Sequence, residues 1–153
     1  MSLSGTGPPN SLVGHASAVA LGERQAFGVL IEGPSGSGKS ALALQLMALG
    51  GRLVADDRTT VALQEGHPWI FAPDRLQGVI EARGIGLIQT PHVAAAPLKL
   101  VVDMGTTETE RLPDPVSREV LGRRVRCIRR VDGPHFAGSI IALSNGEWWW
   151  HDR

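Results

Sequence analysis

Short apolar segments separated by glycine-rich or polar turns run along most of this chain, and they predict its secondary structure. Apolar residues at 18–21 and 28–31 predict two strands around a turn, and 98–104 predicts a strand buried on both faces. Residues 41–49 are rich in strong helix formers, and the glycine pair 50–51 supplies a helix stop. The chain therefore begins its fold as a strand pair followed by a helix.

Weaker signals occupy the remainder of the chain. They predict strands at 53–55 and 78–82, a hairpin pairing 60–63 with 69–72, and a short extended piece at 85–88. A helical turn is predicted at 117–121, whereas 125–128 and 139–143 fit either a strand or a helix. The mixture indicates an α/β fold with a large sheet and few helices.

A glycine-rich segment joins the second predicted strand to the helix, and it matches the phosphate-binding pattern G-x-x-x-x-G-K-[ST]. Its residues are Gly33, Pro34, Ser35, Gly36, Ser37, Gly38, Lys39 and Ser40. The glycines let backbone N–H groups turn toward phosphate oxygens, and the helix adds its positive N-terminal end. Lys39 would neutralise the β- and γ-phosphates, and the Ser40 hydroxyl would bind Mg²⁺.

Two adjacent carboxylates, Asp56 and Asp57, follow the strand predicted at 53–55. Ligands of open α/β sheets lie beyond the carboxyl ends of strands, so the pair and Ser40 should face one phosphate site. One carboxylate can hold Mg²⁺ and the other can take a proton from an attacking hydroxyl. Adjacent side chains of extended chain point to opposite sides, which favours such a division of roles.

Composition narrows the class of protein. The chain has 153 residues and a formal net charge of zero, which favours neither nucleic acid nor a membrane surface as partner. Cys127 is the only cysteine, so no internal disulfide forms, and a reducing, cytoplasmic location fits. No apolar stretch is long enough to span a membrane. We expect a loose tail over 1–12 and one catalytic domain over 13–153.

Three segments together resemble one known family. The phosphate loop, the run Arg-Leu-Val-Ala-Asp-Asp-Arg at 52–58, and Ile-Glu-Ala-Arg-Gly-Ile-Gly-Leu-Ile at 80–88 resemble HPr kinase/phosphorylase. Gly14-His15 resembles the family's histidine upstream of the loop, and Glu110-Arg111-Leu112 resembles its later Asp-Arg-Leu motif. The resemblance covers about 15–143, and it implies an α/β P-loop nucleotide-binding domain of the HPr kinase/phosphoenolpyruvate carboxykinase-like type with a mixed sheet. The chain is similar to the short form of the enzyme from α-proteobacteria, which has the catalytic C-terminal domain alone.

The resemblance implies roles for individual residues. Asp57 would be the base that accepts the serine proton, with His15 near the attacking face. Ser40, Asp56 and Glu81 would hold Mg²⁺. Arg83 and Arg111 would stabilise charge on the phosphoryl group during transfer.

The resemblance also implies an activity and partners. The chain would be an ATP-dependent serine kinase, and a phosphorylase in reverse, acting on HPr or a related carrier. It would form a homo-oligomer, a hexamer by analogy with the family. A small-metabolite kinase and a non-catalytic nucleotide-binding regulator are the alternatives. The guanine-reading pattern Asn-Lys-x-Asp does not occur in the sequence, which argues against a GTPase.

Two groups of residues have no role in that scheme. The arginines at 123–130 would either meet an acidic partner or line a solvated strand. The tryptophans at 148–150 would form a partner or subunit contact, or pack the C-terminal segment.

Overall fold

The computed structural model describes residues 11–149, which form eleven strands and two helices. The strands are β1 Ser11–Gly14, β2 Ala16–Leu21, β3 Phe27–Glu32, β4 Arg52–Ala55, β5 Thr59–Gln64, β6 His67–Phe71, β7 Val79–Ala82, β8 Gly86–Gln89, β9 Ala95–Thr107, β10 Val116–Val120 and β11 Arg123–Arg130. The helices are α1 Lys39–Ala48 and α2 Phe136–Ser144, and a 3₁₀ turn spans Glu23–Gln25. Strand β1 begins inside the stretch expected to be a tail, and residues 1–10 lie outside the described part.

Nine of the strands form one mixed sheet. Its main path runs β1-β5-β6-β9-β3-β2-β4. Off this path, β11 also pairs with β9, and β10 pairs with β11. The pairs β3–β9 and β9–β11 are parallel, and the remaining pairs are antiparallel. Strands β7 and β8 form a separate hairpin. The predicted α/β class with a large mixed sheet is confirmed.

Two apolar clusters bury the faces of the large sheet. Helices α1 and α2 cover one face, where Leu42, Leu46 and Ile140 pack with Ile31 and Leu100. Strand side chains with the opposite parity form the second cluster on the other face. Burial on both faces explains why the central strands read as continuous apolar runs rather than alternating ones.

Helix α1 follows β3 after the phosphate loop and ends as the glycine pair predicted. Gly50 has φ 106°, a left-handed conformation that glycine adopts without steric penalty, and its N–H donates to the carbonyl of Met47. Of the two segments that fitted either a strand or a helix, 125–128 lies in strand β11 and 139–143 lies in helix α2. Neither helix of the described chain has both the length and the apolar character needed to cross a bilayer.

The prediction of a helical turn at 117–121 is wrong, because these residues belong to β10 and its hairpin with β11. Val116 pairs with Cys127 and Val120 with Arg123 in an antiparallel ladder. The connecting residues Leu121 and Gly122 have φ 50° and 76°, as a two-residue hairpin turn requires. Polar residues inside β10 obscured the strand pattern, and the Leu-Gly pair is a weaker turn signal than Asn-Gly.

The arginines at 123–130 and Trp148, which have no role in the proposed site, contact other parts of the chain. The Arg126 guanidinium lies 4.2 Å from the centre of the Trp148 ring, and Trp148 packs against the helix-side core. Arg123 donates to the carbonyl of Gly66, and Arg129 forms an ion pair with Glu108 at 3.4 Å. Of the two alternatives for the tryptophans, Trp148 therefore fits packing of the C-terminal segment. Trp149 is exposed, and Trp150 lies outside the described residues.

Candidate active site

Strand direction places the candidate residues at one edge of the sheet. Strand β4 is antiparallel to β2, which is antiparallel to β3, so β3 and β4 point the same way. The phosphate loop follows the carboxyl end of β3, and Asp56 and Asp57 follow that of β4. The edge that the sequence predicted for a ligand site is therefore built as expected.

The phosphate loop depends on glycine at its first and sixth positions. Gly33 has φ 147°, and a Cβ there would lie 2.6 Å from the Ser37 hydroxyl and 3.0 Å from Met104. Gly38 has φ 97° and directly precedes α1. Side chains at either position would strain the backbone or displace the loop. The loop thus curls into the N-terminus of a ten-residue helix, a geometry suited to phosphate.

The two residues that open α1 make specific polar contacts. The Lys39 ammonium donates to the carbonyl of Gly33 at 2.6 Å, so its side chain folds back along the loop. The Ser40 hydroxyl donates to Oδ1 of Asp56 at 2.8 Å. The first contact holds a cation at the loop. The second joins the loop to the end of β4.

Asp56 receives a second hydroxyl from a residue that the sequence reasoning missed. Ser17 is fully buried in β2, and its hydroxyl donates to the same Oδ1 at 3.0 Å. The available signal was a lone hydroxyl in the otherwise apolar run Ala16–Leu21. The contact could not be predicted without the pairing of β2 and β4, in which Ala18 lies opposite Ala55 and so brings Ser17 near Asp56.

Asp57 has a different environment from its neighbour. Its φ is 68°, and the N–H of Arg58 donates across it to the carbonyl of Asp56 at 2.8 Å. This tight turn directs the Asp57 carboxylate to solvent, where it lies 3.9 Å from Nδ1 of His15. Both side chains are exposed, at 80% and 73%. The adjacent carboxylates thus contact separate partners: a pair of hydroxyls for Asp56 and an imidazole for Asp57.

Glu81 joins the carboxylates through a shared cavity of about 370 Å³, which Asp56, Asp57 and Glu81 line together. Glu81 lies on β7 and is exposed. Arg83 follows the end of β7 and lines a shallow neighbouring depression together with Glu81. Segment 80–88, which carries part of the family resemblance, is therefore next to the aspartate pair, of which Asp56 contacts the phosphate loop.

Arg111 is the predicted site residue that lies apart from these groups. It lines a separate cavity of about 480 Å³ between the segment after β9, strand β11 and helix α2. The structure thus brings together His15, Ser40, Asp56, Asp57 and Glu81, adds Arg83 beside Glu81, and leaves Arg111 in another cavity.

The donor atoms at the edge suit a hard cation. Ser40 and Asp56 present oxygens in direct contact, and Glu81 adds a carboxylate to the same cavity. Mg²⁺ binds few protein carboxylates and completes its shell with water and substrate phosphates. In residues 11–149 no group of three His, Cys, Asp or Glu side chains is arranged to hold a metal alone. The residues therefore fit a magnesium ion shared with a bound nucleotide.

A buried ion pair directly before the phosphate loop was also missed. Glu32 is the last residue of β3 and is fully buried, and its carboxylate lies 2.5 Å from the Arg118 guanidinium of β10. Burial raises the pKa of Glu32 above its ordinary value, and the hydrogen bond and charge of Arg118 oppose that rise. This pair could not be predicted, because β10 was not recognised as a strand.

A family model and curated relatives match this chain in sequence. The family model for the HPr serine kinase C-terminal domain matches residues 15–119. HPr kinase/phosphorylase of Bordetella avium is 40% identical over 117 residues, which is 65% of this chain and 37% of that protein. The enzyme of Polaromonas naphthalenivorans is 38% identical over 118 residues, 65% of this chain and 36% of that protein. The chain thus spans little more than a third of the length of these curated relatives.

A solved structure extends the likeness to the fold. The HPr(Ser) kinase/phosphatase from Coxiella burnetii superposes with a TM-score of 0.71 at 25% identity, covering 86% of this chain and 87% of that one. The family model covers more than half of the residues and includes His15, the phosphate loop, both aspartates, Glu81 and Arg83. The chain belongs to the HPr serine kinase C-terminal domain family.

Proposed function

We propose that this chain is the catalytic unit of an ATP-dependent serine protein kinase acting on HPr or a related phosphocarrier. One observation carries the proposal. The phosphate loop is hydrogen-bonded through Ser40 to Asp56, and the next residue, Asp57, is exposed beside His15 at the same edge. The groups that would bind nucleotide and accept a proton are therefore adjacent. The names of the relatives supply HPr as the acceptor.

The loop and α1 would bind the triphosphate of ATP. Backbone N–H groups and the helix N-terminus would bind the phosphates, and the Lys39 ammonium, which donates to the carbonyl of Gly33, would be available to a phosphate oxygen. Ser40, Asp56 and Glu81 would hold Mg²⁺, which neutralises charge on the β- and γ-phosphates when bound. The second hydroxyl on Asp56, from Ser17, fixes the orientation of that carboxylate.

Asp57 would accept the proton of the incoming serine hydroxyl. The serine oxygen bonds to the γ-phosphorus as the bond to the β-phosphate oxygen breaks, so that ADP leaves and phosphoserine forms. His15, 3.9 Å from Asp57, positions the carboxylate or the hydroxyl on this exposed side. Arg83 lies beside Glu81 and would stabilise charge on the phosphoryl group. The same role for Arg111 has less structural support, because that residue lines a different cavity.

Reversal would use the same groups. Inorganic phosphate bound in the loop would attack the phosphoserine, Asp57 would return its proton to the serine oxygen, and pyrophosphate would leave. Product analysis of phosphorylated HPr incubated with Mg²⁺ and phosphate tests this. Release of pyrophosphate supports phosphorylase activity, and its absence while the forward reaction runs makes the chain a kinase alone.

The test of the proposed function is transfer of labelled γ-phosphate from ATP to purified HPr of the same organism, with a panel of small hydroxyl compounds alongside. We expect label on HPr only. Lys39→Ala should reduce transfer by about 10²–10³-fold, the effect of removing one preorganised charge-stabilising donor. Lys99→Ala, the only other lysine substitution that the sequence offers, is the matched control. Label on a small acceptor, or no transfer while ATP binds, would overturn the proposal.

A further inference from the structure

Two exposed apolar side chains border the cavity of the aspartates, and a third borders the neighbouring depression. Six large hydrophobic residues are strongly exposed within the described chain, and three of them lie in the short segment 76–87. They are Leu76, Ile85 and Leu87, exposed at 74%, 80% and 72%. We call these three side chains the apolar rim. Exposed apolar residues that cluster beside a functional cavity mark an interaction surface more often than scattered ones do.

Register places the apolar rim next to the reacting groups. Leu87 lies directly across the β7–β8 hairpin from Glu81, so both side chains occupy the same face. The alternate face carries Ile80, which is buried in the core. Leu76 and Leu87 line the cavity that Asp56, Asp57 and Glu81 also line. The hairpin thus buries one face and presents leucine and carboxylate together on the other.

The segment carrying Leu76 is fixed in place by hydrogen bonds. The Gln77 amide donates to the carbonyl of Pro73 at 2.9 Å, and the Gln89 amide donates to the carbonyl of Gln77 at 3.0 Å. The Thr90 hydroxyl donates to the carbonyl of Gly78 at 3.0 Å. These bonds tie the loop to the end of β8. A preorganised surface loses less conformational entropy when a partner docks on it.

Leu76 itself has an unfavourable backbone conformation. Its φ is 58°, in the left-handed region that a bulky residue seldom occupies and that glycine occupies without penalty. Its side chain nevertheless remains largely in solvent, so packing within the chain does not account for leucine here. Strain of this kind is typical of positions where the surrounding structure holds a residue for function.

We propose that the apolar rim docks an apolar surface next to the acceptor hydroxyl of a folded protein substrate. This inference rests on the proposed kinase function and names how its acceptor is held. Leu76 and Leu87 form walls of the cavity into which the hydroxyl must enter, so a surface seated on them would bring that hydroxyl toward Asp57. A second copy of the chain seated there would instead close the mouth of the cavity. The acceptor is therefore the occupant that the geometry favours.

Two rim variants test the proposal by steady-state transfer to HPr of the same organism. Leu87→Ser and Leu76→Gly should each raise the KM for HPr by about 10- to 100-fold, as expected when a buried leucine contact is lost. The dissociation constant of a fluorescent ATP analogue should stay unchanged. Leu49→Ser, which changes an exposed leucine beyond the end of α1, is the matched control and should leave both values unaltered.

Leu76→Gly also separates docking from a structural role. Glycine relieves the left-handed strain, so the melting temperature should hold or rise while the KM for HPr increases. A fall in both melting temperature and activity in Leu76→Gly would indicate a structural residue and overturn the docking role. An unchanged KM for HPr in both Leu87→Ser and Leu76→Gly would also overturn the docking role, and it would leave the kinase proposal intact.

Two further outcomes are distinguishable. Loss of self-association in sedimentation, with the KM for HPr unaltered, would assign the rim to a subunit contact and overturn the docking proposal. If the wild-type protein neither binds nor phosphorylates HPr, the kinase proposal fails and the docking proposal fails with it.

Discussion

At the scale of single residues, the two adjacent aspartates have become chemically distinct through backbone geometry alone. Asp56 remains in line with β4 and accepts hydroxyls from Ser17 and Ser40. Asp57 turns through a left-handed conformation into solvent beside His15. A single change in φ therefore separates an oriented carboxylate within the site from an exposed one. This separation underlies the different roles that we propose for them.

The first prediction concerns the proposed base. Asp57→Asn should lower the rate of phosphoryl transfer by about 10²–10⁴-fold, because an amide cannot accept the serine proton. Nucleotide affinity should be largely retained, since Asp57 does not contact the phosphate loop. Single-turnover transfer and nucleotide titration measure the two quantities separately. Asp114→Asn, an exposed carboxylate outside this cavity, serves as control. Normal transfer by Asp57→Asn would show that the base has been assigned wrongly.

The second prediction concerns the proposed metal ligands. Ser40→Ala and Glu81→Gln should raise the Mg²⁺ concentration needed for half-maximal activity, because each removes an oxygen donor or charge from the magnesium site. Activity at saturating Mg²⁺ should recover in part. Glu119→Gln removes an exposed carboxylate of β10 and should not shift the titration. An unchanged Mg²⁺ requirement in both variants would remove these residues from the metal site.

The sequence alone was sufficient to predict the site residues that are recognised from their immediate neighbours in the chain. The phosphate loop and the aspartate pair were predictable because each follows an apolar strand directly in the chain. Ser17 was not, since its contact with Asp56 depends on how β2 and β4 pair. The same limit applies to Arg111, because its cavity depends on how the segment after β9, strand β11 and helix α2 pack together.

At the scale of elements, the central strand β3 links the phosphate loop to the far edge of the sheet. It is hydrogen-bonded to β2 and β9, and β9 connects it through β11 to β10. The Glu32–Arg118 ion pair spans these strands immediately before the loop begins. The element that the sequence misassigned, β10, is therefore the one that supplies the partner of this buried carboxylate.

The third prediction follows from that buried carboxylate. Burial raises the pKa of Glu32 above its ordinary value of 4.5, so the folded protein holds this proton more tightly than the unfolded chain does. The contribution of Glu32 to the free energy of unfolding is therefore largest below about pH 4.5, and it decreases as the pH rises through the pKa of Glu32 in the folded protein. The free energy of unfolding of wild type, relative to Glu32→Gln, should fall over this range in urea titrations. Glu119→Gln should show no such trend. A difference independent of pH would contradict the prediction.

Sequence periodicity predicted most elements because the buried strands are continuous apolar runs and α1 has strong helix formers. The ambiguous segments were resolved only by tertiary context. Residues 139–143 form part of α2, which packs against α1 and the sheet, and 125–128 form part of β11 beside β9. Short apolar stretches of this length fit either structure until their neighbours are known.

At the scale of the whole molecule, the sheet acts as a platform with its polar chemistry concentrated at one edge. The aspartates after β4 and the β7–β8 hairpin line one cavity, and the loop after β3 joins this edge through the hydrogen bond from Ser40 to Asp56. Two apolar clusters beneath them keep the strands in register. Because helices and paired strands are rigid, the positions of Ser40 in α1, Asp56 at the end of β4 and Glu81 in the β7–β8 hairpin are set by regular structure rather than by loops alone.

The fourth prediction concerns assembly. The resemblance to the kinase family leads us to expect a homo-oligomer, with a hexamer as the expected form. Sedimentation velocity over a range of protein concentrations measures this, and a rising mass with concentration is the expected result. A monomer at all practical concentrations would contradict the expectation, and it would leave the catalytic assignment untouched.

The central claim is that this site transfers the γ-phosphoryl group of ATP to a serine hydroxyl of a phosphocarrier protein. The most direct measurement is mass spectrometry of HPr from the same organism after incubation with ATP, Mg²⁺ and the protein. We predict one phosphoserine on HPr, formed by the wild type and lost when that serine of HPr is changed to alanine. HPr left unmodified by a folded protein that binds ATP, or phosphate found on another residue type, would contradict the account.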